Sequence, residues 1–313
     1  MKRYREAFFK FLFPAESDTW LCLLRIGLGA QVVLYCLALR GAWSSLLSES
    51  SAGLISRRLP ELIVSAQSAF VPQVNWLVVA GRLAGLDEQS TLALAWALLL
   101  AAGLALLVGL FCRSAAVLGW FLHLAAAKSG GLFAYGVDNF MTIGLFYLML
   151  SPHPDRYSLD FRIWKRESDP AGRGFLRRVL QLHLCVIYFF SGLAKSLGSG
   201  WWNGSSLWRA LTRPPFDLLP AGWLASFSFL LTLGGIVVCV IELGYPVLIW
   251  PRSTRNLWLC LVCAMHLGIG LAMGMYLFAL VMLVLNLAAF APDHRPGRFP
   301  LDAALRRRHN SVA

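Results

Sequence analysis

Several ionisable side chains lie inside or at the ends of long apolar stretches of this sequence, where charge is expensive. They are Arg25, His123, Lys128, Asp138, His183, Lys195, Glu242 and His266. An ionisable group inside a bilayer costs several kcal/mol, so each of these residues is a candidate for function. A lysine that has lost much of its water holds its proton less tightly and can act as a base. The set therefore favours proton transfer at Lys195, with His266 and Asp138 as further catalytic candidates.

Five of these residues also have a purely structural interpretation. The Lys195 ammonium can reach lipid headgroups while its aliphatic stem stays in the bilayer. Asp138 stands just before an apolar run, which is a common position for a helix N-cap. His266 and His123 are equally compatible with hydrogen-bonded core positions, and His183 with contact to a neighbouring helix.

Cys260, Cys263 and His266 are spaced to lie on roughly one face of a helix, which raises a metal or thiol-redox interpretation. No fourth ligand has support in the sequence, and redox pairs with this spacing normally lie at an exposed helix start. We therefore expect no metal and interpret the three residues as packing residues, with a thiol-redox function kept as a hypothesis. The sequence contains no glycine-rich phosphate loop, His-Glu-x-x-His motif or nucleophile elbow.

The composition excludes a water-soluble globule. Of the 313 residues, 58% are hydrophobic and only 14% are charged, whereas a soluble domain carries about 25% charged residues. Apolar runs recur along almost the whole chain and leave no polar stretch long enough to fold separately. We expect one all-α polytopic membrane domain over 1–313, surrounded by lipid. The net charge of +12 suits cytoplasmic loops near anionic lipid, and no nucleic-acid partner is expected.

Apolar runs of the length that crosses a bilayer, about 20 residues, give the expected spans. These are 20–40, 90–111, 113–131, 136–151, 176–198, 223–250 and 256–290. The last run is too long for one crossing, and we expect two helices that separate at Gly268, Gly270 or Gly274. The prediction is therefore a bundle of about eight spans. The segment 54–86 is interrupted by two prolines and is interpreted as a partly embedded connection.

The distribution of basic residues predicts the orientation of the bundle. With the N-terminus inside, most of the 28 Lys and Arg residues fall on inner segments, as cytoplasmic loops require. We expect the N-terminal segment 1–19 and a short basic tail, 292–313, to lie in the cytoplasm. An even number of spans follows, which agrees with division of the last apolar run.

This topology assigns a depth to each polar candidate. Lys195, Asp138, Asn139 and His266 are expected to meet in one outward-opening pocket. Arg25 and Glu242 belong to the inner half of the bundle, where they are candidates to pair with each other.

One stretch, 181–208, carries a specific motif in which a span ends in Tyr-Phe-x-x-Gly-x-x-Lys and is followed by Trp and Gly. The matching residues are Tyr188, Phe189, Gly192, Lys195, Trp201 and Gly204. This motif resembles the vitamin K-dependent gamma-glutamyl carboxylase and its bacterial relatives, the horizontally transferred transmembrane domain (HTTM) family. Weaker similarities extend the resemblance over most of the chain: Leu24 to Gly29, Gly109 to Arg113, Asp138-Asn139, and His266 to Gly274 with Phe278.

The resemblance implies a quinol-dependent, carboxylase- or epoxidase-like enzyme in a bacterial inner (cell) membrane. In the carboxylase, the lysine that matches Lys195 is understood as the base that deprotonates reduced vitamin K and starts oxygen-driven formation of a stronger base. By resemblance, Lys195 is the base and His266 and Asp138 are its catalytic neighbours. The residues expected to contact a reduced vitamin K-like quinone are Asn139, Tyr188 and Trp201.

Departures from the carboxylase support an alternative function. The carboxylase has a large lumenal portion after its membrane part, and a Lys-Lys doublet where this chain has Ala194-Lys195. The alternative is a non-catalytic membrane factor for maturation of, or protection from, an exported peptide or protein. A soluble partner chain would then replace the lumenal portion. The paired Trp201-Trp202 also fits an interfacial anchor, since tryptophan favours that depth.

Overall fold

The computed structural model describes residues 2–49, 56–131, 134–165 and 169–292, and all regular structure in this part of the chain is helical. The helices are α1 (Lys2–Leu12), α2 (Thr19–Leu39), α3 (Trp43–Leu47), α4 (Arg58–Gln67), α5 (Val74–Leu83), α6 (Glu88–Val108), α7 (Cys112–Ser129), α8 (Gly136–Leu150), α9 (Leu159–Trp164), α10 (Pro170–Ser196), α11 (Ser199–Trp202), α12 (Ser205–Thr212), α13 (Ala221–Ser226), α14 (Ser228–Leu248), α15 (Arg252–Met273) and α16 (Tyr276–Phe290). The expected all-α class is confirmed. The predicted basic tail lies outside the described residues beyond position 292.

Five helices of the described part, α2, α6, α10, α14 and α15, are long and apolar enough to cross a membrane. Each falls within or overlaps an expected span. The remaining expected spans correspond to α7, α8 and α16, which have 18, 15 and 15 residues. Large apolar side chains are exposed on the long helices, for example Leu98 on α6, Val237 on α14 and Leu267 on α15, which suits contact with lipid. The count of about eight spans and the cytoplasmic termini stay predictions.

The last apolar run does contain two helices, as expected. α15 ends at Met273, and Gly274 follows with φ of 70°. This left-handed backbone is favourable for glycine and ends helices. α16 then begins at Tyr276 and packs back against α15, where a Cβ atom at Gly270 would come within 2.8 Å of the Ala279 Cβ.

The segment 54–86 contains two short helices, α4 and α5, of 10 residues each. At 1.5 Å per residue, each is about 15 Å long, half the hydrocarbon thickness of a bilayer. A buried carboxylate ties this segment to α7: Glu61 accepts hydrogen bonds from Arg57 at 2.9 Å and from the Ser129 hydroxyl at 2.6 Å. The connection is therefore held against the bundle, and its interpretation as a partly embedded segment stays a prediction.

Close helix packing depends on glycines at the crossing points. α2 packs against α6, α8 and α16, and a Cβ at Gly29 would lie 2.8 Å from the Leu107 nitrogen and 3.0 Å from the Gly103 oxygen. Small residues of this kind allow the backbones of membrane helices to approach. α16 also contacts α8, α10 and α15, so it lies between the α2–α8 side of the bundle and the α10–α15 side over part of its length.

Arg25 pairs with Asp155, so the expected pair of Arg25 with Glu242 is wrong. The guanidinium Nε donates to the Asp155 carboxylate at 2.6 Å, and Nη1 donates to the carbonyls of Leu106 and Leu107 at 2.6 and 3.0 Å. Both side chains are fully buried. The loop after α8 returns across the end of α6 and brings a carboxylate to Arg25. The ion pair therefore links α2, α6 and this loop.

We expect Asp155→Asn to lower the free energy of unfolding by about 3–5 kcal/mol, because it leaves the buried Arg25 charge without its counter-ion. Thermal unfolding of the detergent-solubilised protein measures this loss. Asp217→Asn is the matched control, since Asp217 is exposed and the same chemical change there should alter stability by less than about 0.5 kcal/mol. Equal unfolding temperatures for the two variants would show that the pair contributes little.

Candidate functional site

The Lys195 ammonium is held by a carboxylate from another helix. Its Nζ donates to Glu242 Oε2 at 2.7 Å and Oε1 at 2.9 Å, and to the Ser191 hydroxyl at 2.6 Å. The exposed fraction is 23% for the Lys195 side chain and 8% for that of Glu242. The lysine side chain therefore turns back along α10 to a partner on α14, and we refer to the two residues as the Lys195–Glu242 pair.

The motif residues around Lys195 explain why α10 and α14 meet at this point. Ser191 and Lys195 are four residues apart and therefore lie on one face of α10. Between them, Gly192 faces α14, and a Cβ there would lie 2.8 Å from the Leu243 nitrogen and 2.9 Å from the Glu242 Cβ. Glycine in the motif thus permits the close approach that brings the two charges together.

The chain after α10 folds back onto α14 next to the Lys195–Glu242 pair. The Lys195 ammonium lies 5.5 Å from the centre of the Trp201 ring, within cation–π range. The Trp201 carbonyl packs directly against Gly235 of α14, leaving no room for a side chain. Gly204 has φ of 80°, in the left-handed region, and its backbone packs on Thr232. Trp201 and Gly204 of the motif therefore anchor the segment after α10 against α14, which places the Trp201 ring next to the Lys195 ammonium.

A buried network of neutral polar side chains lies deeper along the same face of α10. Asn286 Nδ2 donates to the Tyr188 hydroxyl at 2.8 Å, and the Tyr245 hydroxyl donates to Asn286 Oδ1 at 2.7 Å. The Tyr188 hydroxyl lies 2.7 Å from His266 Nε2. The Tyr188 and Tyr245 rings stack with their centres 4.1 Å apart. The network joins α10, α14, α15 and α16.

This network uses only one nitrogen of His266. Because Tyr188 accepts from Asn286, its own hydrogen is available to Nε2, and a neutral His266 then carries its hydrogen on Nδ1. His266 Nδ1 is buried and has no hydrogen-bond partner among the described residues. The partner of Nε2, Tyr188, precedes Lys195 by seven residues, two turns along the same face of α10. A buried donor without a partner is a candidate to bind a polar ligand atom.

Asp138 belongs to a second cluster, at the start of α8. Its Oδ2 accepts from the Tyr135 nitrogen at 2.9 Å and closes the first turn of the helix. Its Oδ1 lies 3.4 Å from His123 Nε2, and His123 Nδ1 lies 3.1 Å from the Thr142 hydroxyl. The Tyr35 ring meets the His123 ring edge to face at 5.2 Å. Asp138 thus has a helix-capping role as well as a cross-helix partner.

The structure divides the pocket that the sequence predicted. Two contacts involve four of the predicted residues: Tyr188 bonds to His266, and the Lys195 ammonium lies against the Trp201 ring. Asp138 lies in the second cluster, and Asn139 is exposed on α8. Phe278 of α16 stands between the two groups, 5.6 Å from the His266 ring and 5.9 Å from the Phe140 ring. The predicted catalytic and quinone-binding roles of all six residues stay predictions.

The sequence marked Glu242 as a charged residue in an apolar run, but we paired it with Arg25 instead of Lys195. The importance of Asn286 was missed. Asn286 is the only strongly polar residue of α16 (YLFALVMLVLNLAAF). A single polar residue in such a helix indicates a hydrogen-bonded contact with another helix.

An apolar groove of about 380 Å³ lies between α12, α14 and α15. Ile241 and Met265 line this groove and directly precede Glu242 and His266 in the chain. The polar site and the groove are therefore built on adjacent faces of the same two helices.

The cysteine cluster shows no convergence on a metal site. Cys260 is exposed, whereas Cys263 is half-buried, and His266 Nε2 faces Tyr188. Across the described ranges, no three His, Cys, Asp or Glu side chains are grouped as metal ligands. The absence of a metal and the thiol-redox hypothesis stay predictions.

Comparison with known proteins gives one finding. A family model described as HTTM domain matches residues 82–294, a range that contains Lys195, Glu242, His266 and Asp138. Comparisons with curated proteins and with solved structures return no match.

Proposed function

Since the chain belongs to the HTTM domain family, we propose that this membrane protein is an enzyme that uses a reduced vitamin K-like quinol. The observation that carries the proposal is the ion pair on the motif lysine, with Lys195 Nζ 2.7 Å from Glu242 Oε2. We place the protein in a bacterial cell membrane, where isoprenoid quinols are dissolved in the lipid.

The ion pair divides the predicted role of the base between two residues. Attraction between opposite charges in a water-poor interior favours lysine as the ammonium and glutamate as the carboxylate. In that state, the free lone pairs belong to Glu242, and Lys195 supplies positive charge. Glu242 therefore takes up a proton at a carboxylate oxygen, while Lys195 stabilises the negative charge that remains on the donor. Fixed charges of this kind need no reorganisation during the reaction.

The residues at the site fit the polar head of a quinol. The unpaired Nδ1 of His266, the Lys195 ammonium and the Trp201 ring would hold the head, and Tyr188 orients His266. A bound quinol would supply an acidic hydroxyl group and two electrons for the reduction of oxygen. The adjacent groove of about 380 Å³ suits its apolar part.

Binding of a naphthoquinol tests the proposal before any substrate is known. We expect reduced 2-methyl-1,4-naphthoquinone to bind the protein in lipid nanodiscs, and His266→Ala to weaken binding about tenfold, a loss of about 1.4 kcal/mol. His183→Ala is the control, because His183 contacts Tyr147 and not this site. Tryptophan fluorescence quenching measures the affinity. Equal affinity of the wild-type protein and His266→Ala would rule out this head-group site.

The non-catalytic alternative has its own supporting observation, an exposed aromatic surface. Trp202, Trp223 and Phe227 are exposed on α11 and α13 and at the start of α14, which suits contact with a peptide or a soluble partner chain. A maturation factor would retain its function in Lys195→Met and lose it in Trp202→Ala. A quinol-using enzyme would instead lose its function in Lys195→Met and retain it in Trp202→Ala.

A further inference from the structure

A second cavity lies on the other side of Phe278, between α2, α3, α7, α8 and the start of α16. Its volume is about 230 Å³. Leucine, alanine and valine form most of the wall. The aromatic and charged groups of the lining belong to Tyr35, Trp43, Tyr135 and Asp138. We refer to this space as the acidic cavity. Its polar residues belong to neither the Lys195–Glu242 pair nor the His266 network.

Asp138 is a buried carboxylate whose partners among the described residues include no lysine or arginine. The residue is 5% exposed, and no lysine or arginine of the described chain lies within ion-pair distance of its carboxylate. The titratable groups that face it are His123, whose Nε2 is 3.4 Å from Oδ1 without a hydrogen bond, and the Tyr35 hydroxyl. Burying a carboxylate without a cation is costly. A cationic ligand in the cavity would remove that cost.

The aromatic residues of the cavity favour the same kind of ligand. The faces of tyrosine and tryptophan rings attract cations, most strongly when water is excluded. Trp43 is buried and its ring nitrogen donates to the Leu92 carbonyl at 2.9 Å, so its orientation is fixed. Tyr135 is 40% exposed and forms part of the rim.

The size of the acidic cavity sets the size of the ligand. An engineered apolar cavity of about 150 Å³ holds benzene, and the acidic cavity is larger, at about 230 Å³. One ring with a short chain therefore fits. We propose that the acidic cavity binds a small organic ammonium ion with an apolar body, with its ammonium group at Asp138 and its body among the aromatic residues.

The test compares 2-phenylethylamine, a cation at pH 7, with the neutral 2-phenylethanol. We expect the wild-type protein in nanodiscs to bind the amine at least about tenfold more tightly than the alcohol, as measured by calorimetry. Asp138→Asn should abolish this preference while it retains an oxygen that accepts from the Tyr135 nitrogen. Asp87→Asn is the control, because the Asp87 carboxylate also accepts a backbone hydrogen bond at a helix start, from the Ser90 nitrogen, but does not line the cavity.

A second variant keeps the test decisive if Asp138→Asn does not fold. Ala127 lines the cavity and is half-buried, so Ala127→Leu fills part of the space without touching the charge. We expect it to weaken amine binding about tenfold or more. Equal affinity for the amine and the alcohol in the wild-type protein would overturn the proposal. So would unchanged amine binding in either variant.

Discussion

Glu242→Gln is expected to lower quinol-dependent turnover by roughly 10²–10⁴-fold, the usual contribution of a positioned acid–base group. The glutamine side chain has nearly the same shape and still accepts a hydrogen bond from Lys195, but it cannot take up a proton. Oxygen uptake by the protein in nanodiscs, with a reduced naphthoquinone as donor, measures the loss. Unfolding temperature serves as the control for folding.

This variant separates two mechanisms that Lys195 variants alone cannot distinguish. If the lysine amine alone were the base, removal of the neighbouring carboxylate would favour its neutral, basic form. Activity would then be retained or raised in Glu242→Gln. Proton uptake by Glu242 itself requires the opposite result, because the glutamine removes the group that holds the proton.

Lys195→Met should have an effect of similar size, roughly 10²–10⁴-fold on turnover. The methionine has similar length but no charge, so the donor oxygen loses its positive partner. The buried Glu242 also loses its counter-ion, and the free energy of unfolding should fall by about 3–5 kcal/mol. Turnover must therefore be measured well below the unfolding temperature of the variant.

Lys128→Met is the matched control for Lys195→Met. Lys128 also lies in the last turn of a helix, α7, but it is exposed. We expect near-normal turnover and stability for this variant. A similar loss of turnover in both lysine variants would point to a general effect of charge on the protein and not to the Lys195–Glu242 pair.

Much of the helical framework follows from the apolar pattern alone. Length and hydropathy define the apolar helices, and Gly274 marks the break between α15 and α16 because its φ of 70° suits glycine. Several of the polar residues at the site, such as Lys195, Glu242 and His266, were also visible, since each is expensive in an apolar run. The pattern fixes which residues are in the helices, but it leaves their rotation about the helix axes open.

The partner of Lys195 shows why depth along a helix is a poor guide to contact. Side chains in a helix lean toward its N-terminus. α10 and α14 are antiparallel, since Gly192 meets Glu242 and Tyr188, four residues earlier on α10, stacks on Tyr245. The Lys195 and Glu242 side chains therefore lean toward each other and meet, although backbone depth placed Glu242 in the inner half. Asp155 was missed for a different reason, because it lies in a loop, where no periodic pattern reports burial.

The most direct test of the central claim is a double-mutant cycle on quinol-dependent oxygen uptake with Lys195→Met, Glu242→Gln and the combined variant. Residues that act as one unit lose their function together, so the effects of the single changes do not add. We predict that all three variants have equally low turnover. Near-normal turnover in Glu242→Gln, or a combined loss equal to the product of the two single losses, would contradict a shared role for the pair.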